Sequence, residues 1–345
     1  MKALQLTASR RLVLADVPEL APPGPDESVV RISYVALNHI DVYGFRGMAF
    51  ARRTLPITVG VEAAGVVEAV GSAGGAATGD RVVVYPADAC AVCRNCQLGR
   101  HTMCLEPKVI MGFHTDGMAA ERVTVKTRQL IPVPPGVALR DAACTPITLA
   151  TVQRMLFDNA RLASGETILV HAAGSGIGSV AIKMAKEAGA TVIATVGSDA
   201  KLEKARAIGA DHVINYTREA FHTRARRLTG GRGVDVVFEH VGEATWEGSL
   251  VALTKGGRLV TCGSTSGAHV KTNLLHCVNH QISILCSFGG TRSNVCESLD
   301  KLAAGKARPV IDSEVGIADV AAVMDRMERR DVFGKILVRG PAAAS

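Results

Sequence analysis

Cys90, Cys93, Cys96 and Cys104, in the run CAVCRNCQLGRHTMC, have the types and spacing of a metal site. The two-residue gaps let tight backbone turns aim three thiolates at one point, and the longer gap to Cys104 returns the fourth. Four thiolates in a tetrahedron suit zinc, one ion per chain, and leave no open position for a substrate. Such a site folds a lobe and performs no chemistry itself. Buried or disulfide-paired cysteines are the plain alternative. Clustered pairs in a chain whose opening, MKALQLTASRRLVLADVPEL, is too evenly mixed for a secretory leader favour the metal.

A second constellation binds phosphate. HAAGSGIGS, from His171 to Ser179, lies between the apolar run TILV and an amphipathic run ending at a glycine. A strand, a tight turn of small residues and a helix let the backbone approach a pyrophosphate, whose charge then meets the first amides of the helix. The turn residues are Ala173, Gly174, Ser175, Gly176, Ile177 and Gly178, and against G-x-G-x-x-G only Gly178 matches. The strand–turn–helix context, with Gly174 and Gly176 present, carries the reading; an ordinary βα turn is the alternative.

The next strand, ATVIATV, decides between nicotinamide cofactors. An Asp or Glu at its end holds the ribose hydroxyls of NAD; Val196 stands there instead. Ser198 and Lys201 suit the extra phosphate of NADPH, with Tyr216 of INYT as a further contact. Asp199 is a dissenting charge, expected to face solvent. A helix cap and a surface lysine are the plain readings of Ser198 and Lys201.

The elements that position these residues follow from the hydrophobic pattern. Across 1–145, short valine-rich runs such as ESVVRISYVALN, AAGVVEAVG and DRVVVYP alternate with turn residues, which predicts an irregular β domain. Over 146–290, apolar runs alternate with helical ones, which predicts a doubly wound parallel sheet, an α/β architecture. The segment 291–345 reads as mostly helical before a last strand, GKILVRG.

Composition bounds the rest. The 345 residues, 48% hydrophobic, call for two globular domains, and no run reaches the roughly 18 apolar residues of a membrane helix. Nine cysteines, five of them scattered singly, fit a reducing cytoplasm. A net charge of +7 favours anionic ligands, but aromatics at 4% and the lack of basic–aromatic clusters argue against nucleic acid. RARR, Arg224 to Arg227, reads as the solvated face of a helix.

The cysteine spacing, the phosphate turn and the segments LNHIDVY, GVEAAGVVEAVG and GGRGVDVVFEHVG together resemble the medium-chain dehydrogenase/reductase superfamily over essentially the whole chain. The resemblance is nearest to its zinc-type alcohol dehydrogenase-like quinone and enoyl reductases. It implies a GroES-like domain with a structural zinc lobe near 88–106, a Rossmann domain, and a C-terminal segment returning to the first domain. It also implies where a catalytic zinc would be held, and there this sequence departs. The ligand positions are taken by Asn38 of NHID, Val61 of GVE and Ile147 of CTPITLAT. Valine and isoleucine do not ligate and asparagine does so poorly; Cys144 and His39 lie nearby as displaced donors. Glu62 and Asp41 are expected to bond backbone amides.

Without a zinc Lewis acid, hydride transfer needs a substrate that accepts hydride by its own electronics. The resemblance then implies an NADPH-dependent reductase of an enone, enoyl thioester or quinone. Tyr43 is the candidate acid or oxyanion donor, Asn38 offers an amide to the same oxygen, Asp41 orients both, and water is the other proton source. A zinc alcohol dehydrogenase with atypical ligands and an NADPH-binding protein without turnover are the rival readings. Phe288 in SFGGTRS reads as a wall of the nicotinamide site or as core. Arg46, Arg52 and Arg53 read as contacts for an anionic tail or as a solvated loop. HCVNHQISILCSFGG resembles the edge through which such domains pair, which implies a homodimer or homotetramer.

Overall fold

The computed structural model describes residues 1–47, 53–106 and 109–340. The chain forms two compact units. One comprises Met1–Ala150, Thr291–Gly305 and Ile311–Ser345, and the other Thr151–Gly290 with Lys306–Val310.

The first unit is built on the strand Glu27–Leu37, which pairs antiparallel with Ala63–Val70, Arg122–Lys126 and Lys335–Arg339. Val30, Ile32, Val67, Val82 and Leu130 close its core, together with Val320, Val323 and Met324 from the helix Val320–Glu328. Each such buried aliphatic side chain stabilises the fold by about 1.5–3 kcal/mol. The last strand enters beside the first half of the sheet with Ile336 opposite Leu37. That register sets Lys335 beside Asn38, where the strand Glu27–Leu37 gives way to the helix His39–Arg46. The expectation of a mostly helical C-terminal segment needs correction: Ile311–Gly316 is a strand, parallel to Lys335–Arg339. Its half-buried polar run IDSEVG lacks the apolar alternation that marks strands in sequence.

The second unit is a six-stranded parallel sheet. From one edge its strands are His212–Asn215, Thr191–Val196, Thr167–Val170, Val234–Glu239, Leu253–Thr261 and Ser283–Cys286. TILV and most of TVIATV are buried, as strands covered on both faces must be. Strand order reverses between Thr167–Val170 and Val234–Glu239, the switch point at which such sheets bind ligands. This is a GroES-like plus Rossmann α/β architecture. No helix among the described residues is long and apolar enough to cross a membrane.

Candidate active site

The cysteine lobe brings its four sulfurs within 4.8 Å of one another. The short helix Arg94–Gln97 and the turn His101–Met103 fold the connecting residues back on themselves. Backbone amides face the sulfurs, Cys93 N–H donating to Cys90 Sγ at 3.3 Å and Cys90 N–H to Cys104 Sγ at 3.5 Å. Amides of Leu105 and Cys96 bring the Cys93 thiol down to about 6, whereas burial pushes Cys96 up to about 12. Tetrahedral zinc with Zn–S near 2.3 Å sets its sulfurs about 3.8 Å apart. Cys90 and Cys96 stand at 3.9 Å, so the donor set fits zinc. All nine cysteines are free thiols.

The phosphate turn follows Thr167–Val170. Ser175 caps the helix Gly176–Glu187, its Oγ accepting Gly178 N–H at 2.9 Å. The amides of Gly176 and Ile177 are then the first of the helix, with no intrahelical acceptor available to them, and they suit an anion. Ala172 adopts a left-handed φ of 47°, and a side chain at Gly178 would run into the carbonyl oxygens of His171 and Ala172. Beneath the turn lies a closed polar network. His171 Nε2 is 2.9 Å from Ser249 Oγ, which donates to Glu239 Oε2 at 2.8 Å, and Ala172 N–H donates to Thr195 Oγ1 at 3.1 Å. Burial holds His171 below its usual pKa against the opposing charge of Glu239.

At the end of Thr191–Val196, Tyr216 lies over Gly197, where a Cβ would come 2.5 Å from its hydroxyl. Ser198 and Lys201 flank this point in a half-buried turn. Asp199 is exposed, as expected, and its carboxylate is paired. Its Oδ1 accepts Asn215 Nδ2 at 2.7 Å and its Oδ2 pairs with Arg218. The helix Phe221–Leu228 is not a purely solvated basic face, since Arg226 Nη1 donates to Leu253 O at 3.2 Å. Phe288 is 55% exposed and so is not core.

In the first unit, Asn38, Glu62, Thr148 and Lys335 close on one another. Lys335 Nζ has three donors and three acceptors, Leu37 O at 2.7 Å, Asn38 Oδ1 at 2.8 Å and Glu62 Oε2 at 3.0 Å. Glu62 Oε1 accepts the amides of Ile147 and Thr148 at 2.7 and 2.6 Å. Its Oε2 also accepts Asn38 Nδ2 at 2.9 Å and Thr148 Oγ1 at 3.0 Å. The other Asn38 amide hydrogen goes to Ala36 O at 3.0 Å. Both Asn38 N–H bonds are therefore engaged within the protein, so the expectation of an amide donated to substrate gives way to a structural role.

Asp41 Oδ2 accepts Asn38 N–H at 2.8 Å, as expected of a residue that bonds backbone. Burial pushes its carboxyl up to about 6, against the pull of its own amide bond and of Lys335. Tyr43 is half-buried on the same helix and meets His39 edge-on, ring centroids 4.9 Å apart. Burial also drives the Cys144 thiol well above its usual value. Val61 packs with Phe113, and Ile40, Ile110 and Ile147 close around them. Of the three arginines, Arg46 is tied to Glu328 at 2.5 Å and Arg53 stacks on Phe113, while Arg52 lies outside the described residues.

Lys335, Thr148 and the His171–Glu239 pair escape sequence reasoning. The signal for Lys335 is a lone charge heading the apolar strand KILV; its partners lie hundreds of residues upstream.

Comparison with known proteins agrees with this geometry. Residues 24–135 match the alcohol dehydrogenase GroES-like domain and residues 176–304 the zinc-binding dehydrogenase family. The chain is 29% identical to an acryloyl-coenzyme A reductase of Sulfurisphaera tokodaii, over 98% of this chain and 100% of that one. It is 34% identical to a quinone oxidoreductase of Pseudomonas aeruginosa, over 74% of this chain and 70% of the other. The solved structure of an NAD-dependent alcohol dehydrogenase superposes with a TM-score of 0.92 at 37% identity, covering 98% of this chain and 99% of that one. The chain is an oxidoreductase and belongs to the medium-chain dehydrogenase/reductase superfamily.

Proposed function

We propose that this enzyme is an NADPH-dependent reductase of an activated carbon–carbon double bond, as in an enone or enoyl thioester, or of a quinone, and that it works without a catalytic metal. One observation carries the reading. The Lys335 ammonium has all three donors engaged by Leu37, Asn38 and Glu62, and Asn38 is one of the three positions at which the resemblance implies a catalytic-zinc ligand. Both Glu62 oxygens already accept donors, and the side chains of Val61 and Ile147 pack into an apolar cluster with Phe113. This donor set does not fit a divalent cation. Among the described residues, the four cysteines are the one group of three or more His, Cys, Asp or Glu side chains able to share a metal.

NADPH, held by the turn Ala173–Gly178 with Ser198, Lys201, Tyr216 and Phe288 around it, supplies a hydride when bound. The chain must then stabilise the negative charge that appears on the carbonyl oxygen of the substrate and deliver a proton to the carbon beside the carbonyl. Tyr43, on the helix His39–Arg46, is the residue we assign to donate that proton or bond the oxygen, with water as the other source. Asp41 and the Lys335–Glu62–Asn38 network fix the start of this helix and therefore the position of Tyr43. The reading is supported by relatives named as reductases of acryloyl-coenzyme A, 2-haloacrylate and crotonyl-CoA.

The exposed edge strand Ser283–Cys286, beside the exposed Leu274, Leu275 and Val278, supports pairing of two copies into a homodimer.

Product analysis with NADPH and an α,β-unsaturated aldehyde tests the function, because such a molecule offers both reducible bonds. The saturated aldehyde is expected. The allylic alcohol as product would overturn the reading.

A further inference from the structure

Beneath the phosphate turn a buried polar chain crosses the switch point, and the chemistry of its members sets the direction of every bond. Glu239 accepts the amides of Val241 and Gly242 on Oε1 at 2.6 and 3.1 Å. Its Oε2 accepts the hydroxyls of Thr245 and Ser249, both at 2.8 Å. Those donors fill the lone pairs of an ionised carboxylate. The one hydroxyl hydrogen of Ser249 is spent on Glu239, so towards His171 Nε2, 2.9 Å away, Ser249 can only accept. His171 therefore carries its proton on Nε2 and presents a lone pair at Nδ1. Thr195 Oγ1, 3.2 Å from Nδ1, donates its hydrogen there and accepts the amide of Ala172 at 3.1 Å. A doubly protonated ring would leave the Thr195 hydrogen with no acceptor among the described residues. Burial, opposed by Glu239 and helped by His240, holds the ring towards its neutral form.

The chain grips a strained turn. Ala172 has a φ of 47°, costly for a residue with a side chain. Thr195 takes the Ala172 amide on its hydroxyl and the Ala173 amide on its carbonyl at 2.9 Å. His240 Nε2 donates to His171 O at 3.0 Å. Held in this way, Ala172 O accepts Ser175 N–H at 2.8 Å and stands where a side chain at Gly178 would be. The aim of the Gly176 and Ile177 amides follows from that seating. At the other end, Glu239 seats the Val241–Gly242 turn and, through Thr245, the start of the helix Glu243–Ala252. Apolar side chains would fill the same space without desolvating a carboxylate, but they could not tie the two turns together.

We propose that Thr195, His171 and Ser249 are positioning residues for the cofactor. They form a one-way hydrogen-bond relay from the Ala172 amide to Glu239, which fixes the phosphate turn against the Val241–Gly242 turn and aims the Gly176 and Ile177 amides at the pyrophosphate. The inference rests on the reading of this turn as the seat of a nicotinamide dinucleotide. The pyrophosphate is common to NADPH and NADH, so the relay serves both alike, and it takes no part in hydride transfer.

Thr195 offers the cleanest test in the full chain. T195V keeps the shape of a strand residue and removes both bonds, whereas T195S keeps them. Fluorescence titration should show T195V losing about 10-fold or more in affinity for NADPH and for NADH, with T195S near wild type. Adenosine 2′-monophosphate, which has the 2′-phosphate without the pyrophosphate, should compete equally well in T195V and wild type. Cofactor KM should rise in T195V while kcat at saturating cofactor holds. In spectra of protein labelled with nitrogen-15 histidine, the ring whose bare nitrogen shifts in T195V should carry its proton on Nε2. That ring should not titrate where an exposed histidine does. Unchanged affinity of T195V for both reduced cofactors, or a proton on Nδ1 of that ring, would overturn the relay and leave the cofactor reading standing. Loss of adenosine 2′-monophosphate binding in step with the cofactors would show general damage and overturn it too. A wild type that binds neither reduced cofactor would overturn the cofactor reading, and the relay with it.

Discussion

Lys335 Nζ stands 3.0 Å from Glu62 Oε2, and the two side chains are 2% and 0% exposed. A closed ion pair of this kind is weak evidence for stability in itself, because desolvation offsets the attraction. Removing one partner is different, since it strands the other charge. K335M should therefore destabilise the first unit by about 3–5 kcal/mol. E62Q in the K335M background should recover part of the loss. Denaturant unfolding followed by circular dichroism measures both, and a K335M protein as stable as wild type would contradict the network.

Asp41 gives a pH signature. Its folded carboxyl lies at about 6, above the ~3.9 of an unfolded aspartate, because burial disfavours the charged form. The folded state thus takes up this proton more readily than the unfolded chain. The ionised group weakens the fold above pH 6, and that penalty fades as pH falls from about 6 towards about 4. The full difference is about 3 kcal/mol. D41N can still accept the Asn38 amide while carrying no charge. It should be more stable than wild type at pH 8, and the gain should vanish near pH 4. A gain independent of pH would show that Asp41 is not held at a raised pKa.

Cofactor choice turns on Asp199. Its carboxylate is held by Asn215 and Arg218, and on the proposed reading Ser198, Lys201 and Tyr216 meet the 2′-phosphate of NADPH. R218A frees the carboxylate and should weaken NADPH binding more than NADH binding. K201A should weaken NADPH about 10-fold or more and leave NADH nearly unchanged, a loss of about 1.4 kcal/mol. Fluorescence titration of each reduced cofactor measures these affinities. Equal losses for the two would argue against the phosphate reading.

The dimer edge is tested by charge. I284E combined with V278E places carboxylates on an exposed strand and the neighbouring helix without touching the buried core. Light scattering should report twice the chain mass for wild type and the chain mass for the variant. A monomeric wild type would remove the assembly.

Local chemistry was legible in the sequence. The four cysteines lie within 15 residues, so their gaps alone dictate that short turns gather them. The phosphate turn is likewise continuous, and the strands on either side announce themselves as TILV and TVIATV. What the sequence did not disclose is long-range. Glu62 meets Thr148 86 residues on and Lys335 273 residues on, and only the register of Ile336 against Leu37 places that lysine. Asn38 read as a free amide because its partners are the backbone of Ala36 and the carboxylate of Glu62, neither marked by any motif. Val61 and Ile147 are apolar residues at two positions where the resemblance implies ligands, and the fold packs them together with Phe113.

The central claim is that the positions at which the resemblance implies catalytic-zinc ligands, Asn38, Val61 and Ile147, hold no metal, since the Asn38 amide is bonded within the chain and Val61 and Ile147 pack with Phe113. Elemental analysis of the purified, active enzyme, with turnover followed as metal is stripped by a chelator, tests it most directly. The account predicts one zinc per chain, held by the cysteines, and turnover that persists until that lobe unfolds. A second equivalent of metal whose loss abolishes turnover in a still-folded enzyme would contradict it.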